Sequence, residues 1–165
     1  MNEKSGLSGE IVLTCYAEDG TVRWTETIKN LITDVGDIYY AQRALAAVVP
    51  DAPADATKVT CMKLGTGTTA VAKNGAGGGI VTYKTGSNAA FASVSRSSNA
   101  ITYNASWAAG VATDSALAEI AICVTNADST SVAANCIARA LISPTRNKQA
   151  ADTLTAAWTH TFLGA

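Results

Sequence analysis

The sequence predicts a mainly β, single-domain fold, a β-sandwich or jelly-roll-like domain with one short α-helix. Three observations predict it. Apolar and polar residues alternate over many short stretches, as half-buried strands require. Gly, Asn, Asp and Ser clusters punctuate those stretches at short intervals. Only one segment changes to a helical period. Such a pattern of strands with a single helix belongs to sandwich and jelly-roll architectures.

The first nine residues are polar and carry Gly and Ser, so they are expected to form a flexible N-terminal arm, leaving 10–165 as one β-rich domain. Residues 10–16 alternate, with Ile11, Leu13 and Cys15 on one face. Glu18-Asp19-Gly20 is a turn signal, because Gly supplies the positive φ of a tight turn. Residues 21–29 alternate again, with Val22, Trp24 and Ile28 on one face, which completes a β-hairpin. Glu26 interrupts that face and is expected near an edge.

A helix is expected over about 35–48. Thr33 or Asp34 can cap it, Asp37 suits the first turn, Ile38, Ala41, Leu45 and Val48 recur at helical spacing, and Pro50 ends it. Tyr39 and Tyr40 flank that stripe with their hydroxyls expected at water. Residues 50–57 form a loop held extended by two prolines. Short strands are expected at 58–64, 80–84, 90–95, 100–107, 118–125, 134–142 and 152–162. The run AEIAICVT at 118–125 is apolar nearly throughout, as in a strand buried on both faces.

The stretch that most resembles a site is MKLGTGTTAVAKNGAGGG at 62–79. It departs from a phosphate loop in detail. Lys73 is followed by Asn74 rather than Ser or Thr, no Gly precedes it, and Ala70 stands where a third glycine of the dinucleotide pattern belongs. The expected roles are a strand end turning through Gly65 and Gly67, then a mobile tip over 71–79. His160 is the single histidine and lies beside Trp158 and Phe162 on an apolar face, where a structural histidine is expected. Asp51 and Asp55 match no calcium loop. Cys15, Cys61, Cys123 and Cys136 include no C-x-x-C pair and are expected as buried, reduced thiols. No catalytic set, cofactor or metal is therefore expected.

Of the 165 residues, 48% are hydrophobic and only 15% charged, and the net charge is −1 with Lys and Arg scattered singly. That excludes the clustered basic surface of a nucleic-acid binder. A charge-poor surface fits either a Thr/Ser-rich sheet face or coverage by other subunits. No apolar run reaches the roughly 18–20 residues of a membrane helix, and the first residues lack a signal-peptide core, so folding in a cytoplasm without a membrane partner is expected.

The order NLITD at 30–34, MKLGTGTTA at 62–70, AEIAI at 118–122, ARALISP at 138–144 and KQAADTLTAAWT at 148–159 resembles a family of small tailed-bacteriophage virion proteins, the head-decoration, head-fibre and tail-fibre-associated modules. The resemblance covers about residues 30–162. Ala121 stands where such chains often carry Gly, and Ala156-Ala157 replaces a more β-branched pair. The resemblance implies a non-enzymatic structural protein of the virion, assembled in the host cytoplasm. The leading expectation is a capsid decoration (cement) protein that contacts the major capsid protein or other virion proteins as a homo-oligomer, a trimer being favoured. Candidate subunit contacts are Lys4, Ser5 and Leu7 of the arm, Lys73 and Asn74 of the loop, and Arg139 and Arg146 near the penultimate strand. The alternatives are a tail fibre, collar or baseplate module, or a carbohydrate- or host-surface-binding sandwich with Trp24, Trp107 and Tyr103 as a stacking platform.

Overall fold

A computed structural model describes residues 6–46 and 58–163. Nine strands make one curled antiparallel sheet, consistent with the expected sandwich. They are β1 (Gly6–Tyr16), β2 (Val22–Ile32), β3 (Cys61–Gly65), β4 (Ala89–Ala90), β5 (Ser93–Ser97), β6 (Ala100–Trp107), β7 (Asp114–Cys123), β8 (Cys136–Lys148) and β9 (Thr153–Leu163), with helix α1 (Asp34–Ala46) between β2 and β3. The strand order is β4-β3-β7-β8-β2-β1-β9-β6-β5. Its two ends are neighbouring parts of one segment. The Phe91 amide donates to Thr60 O, and the Ala92 amide to Asn104 O, so this segment links the β3 side to the β6 side. The curled sheet thereby covers most of its own edges, which otherwise invite pairing with other chains.

The hairpin forms as its alternation predicts. Ile11, Leu13 and Cys15 are fully buried, Ile11 faces Ile28, and Gly20 takes φ 82° in the turn. The inner faces of β6 and β9 add Tyr103, Ala105, Trp107, Leu154, Ala156 and Trp158. Met62 and Leu64 of β3, Leu117, Ile120 and Ile122 of β7, and Ala138, Ala140 and Ile142 of β8 complete the main core.

Several boundaries differ from expectation for physical reasons. Gly6–Gly9 are no arm: they extend β1, pairing with Leu163 through His160, and Leu7 packs against the core. Lys4 and Ser5 lie outside the described residues. Glu26 lies on a stretch of β2 that pairs with β1 alone, because β2 pairs with β8 only at Leu31 and Ile32; its carboxylate reaches Arg146 of β8 as an ion pair instead. β8 continues past the expected end at 142, through the cis Ser143–Pro144 bond, to Lys148. Residues 80–84 form no regular strand; they carry one isolated β-bridge, from Tyr83 to Gly65.

Helix α1 begins at Asp34, and the end expected at 48 falls outside the described residues. Thr33 caps it, its Oγ1 accepting from the Gly36 amide at 3.1 Å. The packed face is not the expected stripe. Ile38 is 57% exposed and Ala41 is exposed, while Val35, Tyr39 and Tyr40 pack against the core. Tyr40 turns its hydroxyl inward to Tyr103 and His160 rather than to water.

Candidate functional site: a buried carboxylate under a glycine-rich strap

The sheet formed by β3, β7 and β8 is buried on both faces. Its inner face joins the main core. Its outer face carries Lys63, Glu119 and Arg139 beside Cys61, Cys123 and Cys136, all with no exposed area. Such a concentration of ionic groups is stable only when each is paired. The cover that makes this possible is the segment 66–88, which contains most of the glycine-rich stretch.

Gly65 ends β3, and Gly67 lies two residues on. A Cβ at Gly67 would stand 2.5 Å from Glu119 Oε1, and one at Gly65 would stand 2.4 Å from Thr82 O and 2.5 Å from the same carboxylate oxygen. The absence of side chains lets the strap settle onto Glu119. The Gly67 amide donates to Oε1 at 3.1 Å, the Thr82 amide to Oε1 at 2.7 Å, and the Val81 amide to Oε2 at 3.0 Å. Arg139 closes the other side, with Nε 3.0 Å and Nη2 2.8 Å from Oε2. Its Nη1 donates back to the strap, to Thr69 O at 2.9 Å and Gly77 O at 3.1 Å. The glycine loop is therefore an anion cradle of converging backbone amides, and the anion it holds is the chain's own carboxylate.

The strap continues without becoming a free tip. The Asp34 amide at the start of α1 donates to Lys73 O, Asn74 donates to the Asp34 carboxylate, and the Lys73 ammonium pairs with Asp37. Gly77 and Gly78 are buried. Lys63 is held by Ser129 O at 2.9 Å and Ser131 Oγ at 2.8 Å, which ties β3 to the loop after β7.

These positions correct the expectations for Arg139, Trp107 and Tyr103 and give the others partners within the chain. Arg139 cannot contact another subunit, because its guanidinium is consumed inside the fold. Lys73 and Asn74 remain exposed but bind the protein's own helix. Arg146 pairs with Glu26 and lies over the Trp24 ring at 5.8 Å. Trp107 and Tyr103 are 1% and 2% exposed, so they form no sugar-stacking platform with Trp24. Glu119 and Lys63 were missed as a pair of site residues. The available signal was one charge set inside each of the apolar runs AEIAI, IARALI and CMKL.

Two further buried polar clusters hold the sandwich. His160 lies at 0% exposure, its Nδ1 hydrogen-bonded to the Tyr40 hydroxyl, which also meets the Tyr103 hydroxyl at 3.0 Å. Burial pushes the imidazole down to about 3, so the ring is neutral at pH 7. At the far end of β9, Asp152 accepts from Arg23 Nε at 3.1 Å and from the Gln149 amide at 2.8 Å, while Lys148 donates to Ala108 O and Asp152 O.

Chemically, the Glu119 oxygens are saturated with donors and His160 faces two phenols rather than a carboxylate. Among the described residues, no group of three or more His, Cys, Asp and Glu is arranged to hold a metal ion, and no helix is long and apolar enough to cross a membrane. No family model matches the chain, and no curated protein or solved structure matches it.

Proposed function

We propose that the chain is a structural protein of a tailed-bacteriophage particle. In this reading it is a capsid decoration protein seated on the major capsid protein and on copies of itself, with a trimer as the favoured arrangement. The observation that carries the reading is the outward face of β2, β1, β9 and β6. Its register rows run Lys29–Glu10–Thr159–Thr102, Thr27–Val12–Ala157–Asn104 and Thr25–Thr14–Thr155–Ser106. Only Glu10 and Lys29 carry charge in these rows, and neighbouring Thr102 and Thr159 hydroxyls bond each other at 2.9 Å.

A face of short, uncharged side chains suits assembly. Covering it costs little rotamer freedom, whereas each immobilised Lys, Arg or Glu costs up to about 2 kcal/mol. The motif order of residues 30–162 supports the same reading. The test is copy number in purified particles by quantitative mass spectrometry. Hundreds of copies are expected. Tens or fewer would move the chain to a tail fibre, collar or baseplate, and absence from particles would overturn the virion reading.

A further inference from the structure

Three cysteines lie in one row across β3, β7 and β8: Cys61 faces Cys123, and Cys123 faces Cys136. The second contact depends on a bulge. Ile122 faces Ala138, yet one step on Cys123 faces Cys136, so Ile137 is the additional residue. Without it Cys123 would oppose Ile137. The bulge brings two thiols together, with Sγ atoms 3.4 Å apart. The Val124 amide donates to Asn135 O at 2.9 Å. That bond puts the cysteine pair at a non-hydrogen-bonded position, where opposing Cα atoms stand about 4.5 Å apart. A disulfide spans Cα separations of about 4.4–6.8 Å with an S–S bond near 2.05 Å. With the sulfurs already 3.4 Å apart, the pair lies within reach of a disulfide.

We propose that Cys123 and Cys136 form a dithiol–disulfide site, closed by a small uncharged peroxide. The site has a nucleophile and a resolving partner. The hydrogen bond between the two thiols outweighs burial and, with the Lys63 ammonium assisting, holds Cys136 below the ordinary thiol range while Cys123 is pushed up; Cys61 is lowered by Cys123 in the same way, and the 3.4 Å sulfur contact is what selects Cys136 as the partner. An open apolar groove of about 570 Å³, lined in part by Ile80, Val132 and Ala133, lies over this region, and Ile80 belongs to the same apolar cluster as the three cysteines. Both thiols are fully buried and neither lines the groove, so the oxidant reaches them only through local opening of this cover, which admits a small neutral peroxide more readily than a charged peptide disulfide.

The Cys136 thiolate attacks one peroxide oxygen. The O–O bond breaks, and the departing hydroxide takes up a proton to become water. The Cys123 sulfur then attacks the sulfenic sulfur, forming the S–S bond as the S–O bond breaks. The hydroxyl leaves with the Cys123 proton as a second water. Two thiols lose two electrons and hydrogen peroxide gains them. Cys15 is a built-in contrast: it donates to Asp152 from another part of the core, and burial, the largest cause, pushes it up to about 11.

The experiment exposes the full, folded chain to hydrogen peroxide, then denatures it, alkylates it and maps it without reduction. The expected result is a mass loss of about 2 Da for the two thiol hydrogens, a Cys123–Cys136 cross-link, and a fall in free thiols from the four present in the structure to two. Dithiothreitol restores all four. Cys136→Ser abolishes the cross-link and Cys61→Ser retains it. Four free thiols after a dose that oxidises the denatured chain, or a bond through Cys15 or Cys61 instead, overturns the proposal. The map of the unsubstituted chain decides the matter even if a variant does not fold.

Discussion

Glu119 and Arg139 meet at 2.8 Å where neither side chain is exposed, and each also binds the strap that covers them. The pair therefore joins two neighbouring strands to a segment with little regular structure of its own. Removing one partner of a buried pair leaves an uncompensated charge, at a cost of about 3–5 kcal/mol. Glu119→Gln is expected to lose stability in that range by urea denaturation. The double variant Glu119→Leu/Arg139→Met is expected to lose clearly less than the two single changes added together. Additive losses would show that the two groups do not act as a pair.

The strap's approach to Glu119 depends on missing side chains. Gly67→Ala puts a Cβ 2.5 Å from the carboxylate and 2.9 Å from Val81 Cβ, with backbone on the third side. A misfit of this kind costs about 1–3 kcal/mol, and it also opens the cradle. Gly86 is the control. It takes φ 76° with nothing near its would-be Cβ, so Gly86→Ala meets only the backbone penalty of about 1 kcal/mol. Hydrogen exchange gives a second readout. The Val81 and Thr82 amides are expected to lose protection in Gly67→Ala and keep it in Gly86→Ala.

His160 makes stability depend on pH in a defined window. Its folded-state pKa, about 3, lies below the ordinary 6.5. Between those values the unfolded chain binds a proton that the folded chain refuses, so stability falls as pH falls. The slope approaches about 1.4 kcal/mol per pH unit below 6.5. Asp152 and Asp114 are both held below the ordinary carboxylate value of 3.8, so their contributions are lost only in more acidic solution. Unfolding free energies measured at pH 7 and pH 5 are expected to differ by about 2 kcal/mol in the unsubstituted chain. His160→Phe is expected to flatten that difference whatever its own stability. An equal difference in both chains would assign the effect to other groups.

How far the sequence carried these features depended on range. The β1–β2 hairpin, the β6 strand and the inward faces of β6 and β9 were legible because alternation and turn chemistry are local. The helix was legible in place but not in face. Its apolar stripe through Ile38 competes with Tyr40, whose ring meets Phe162 and whose hydroxyl meets Tyr103, more than sixty residues away. The candidate site was the least legible part. Glycines at 65 and 67 announced a close approach, but not that the approaching anion was Glu119, because that pairing is set by the β3–β7 register. Arg139 likewise looked available for a partner until β8 was seen beside β7.

The proposed seating of the outward threonine face can be tested apart from folding. Val12 lies in its middle row between Thr27 and Ala157 and is 37% exposed, so its side chain contributes little to the core. Val12→Lys exchanges a β-branched residue for a charged one on a half-open sheet, at a cost to the isolated domain of about 1 kcal/mol or less. In an assembled particle the same ammonium would be buried against uncharged hydroxyls and methyl groups, with Glu10 its nearest acid on that strand face. The expected outcome is a soluble domain with a near-normal denaturation midpoint that fails to join particles or its own oligomer, read by sedimentation and particle occupancy. Thr27→Ser, which keeps the face small and uncharged, is expected to assemble normally. Full occupancy by Val12→Lys would remove this face from the contact surface.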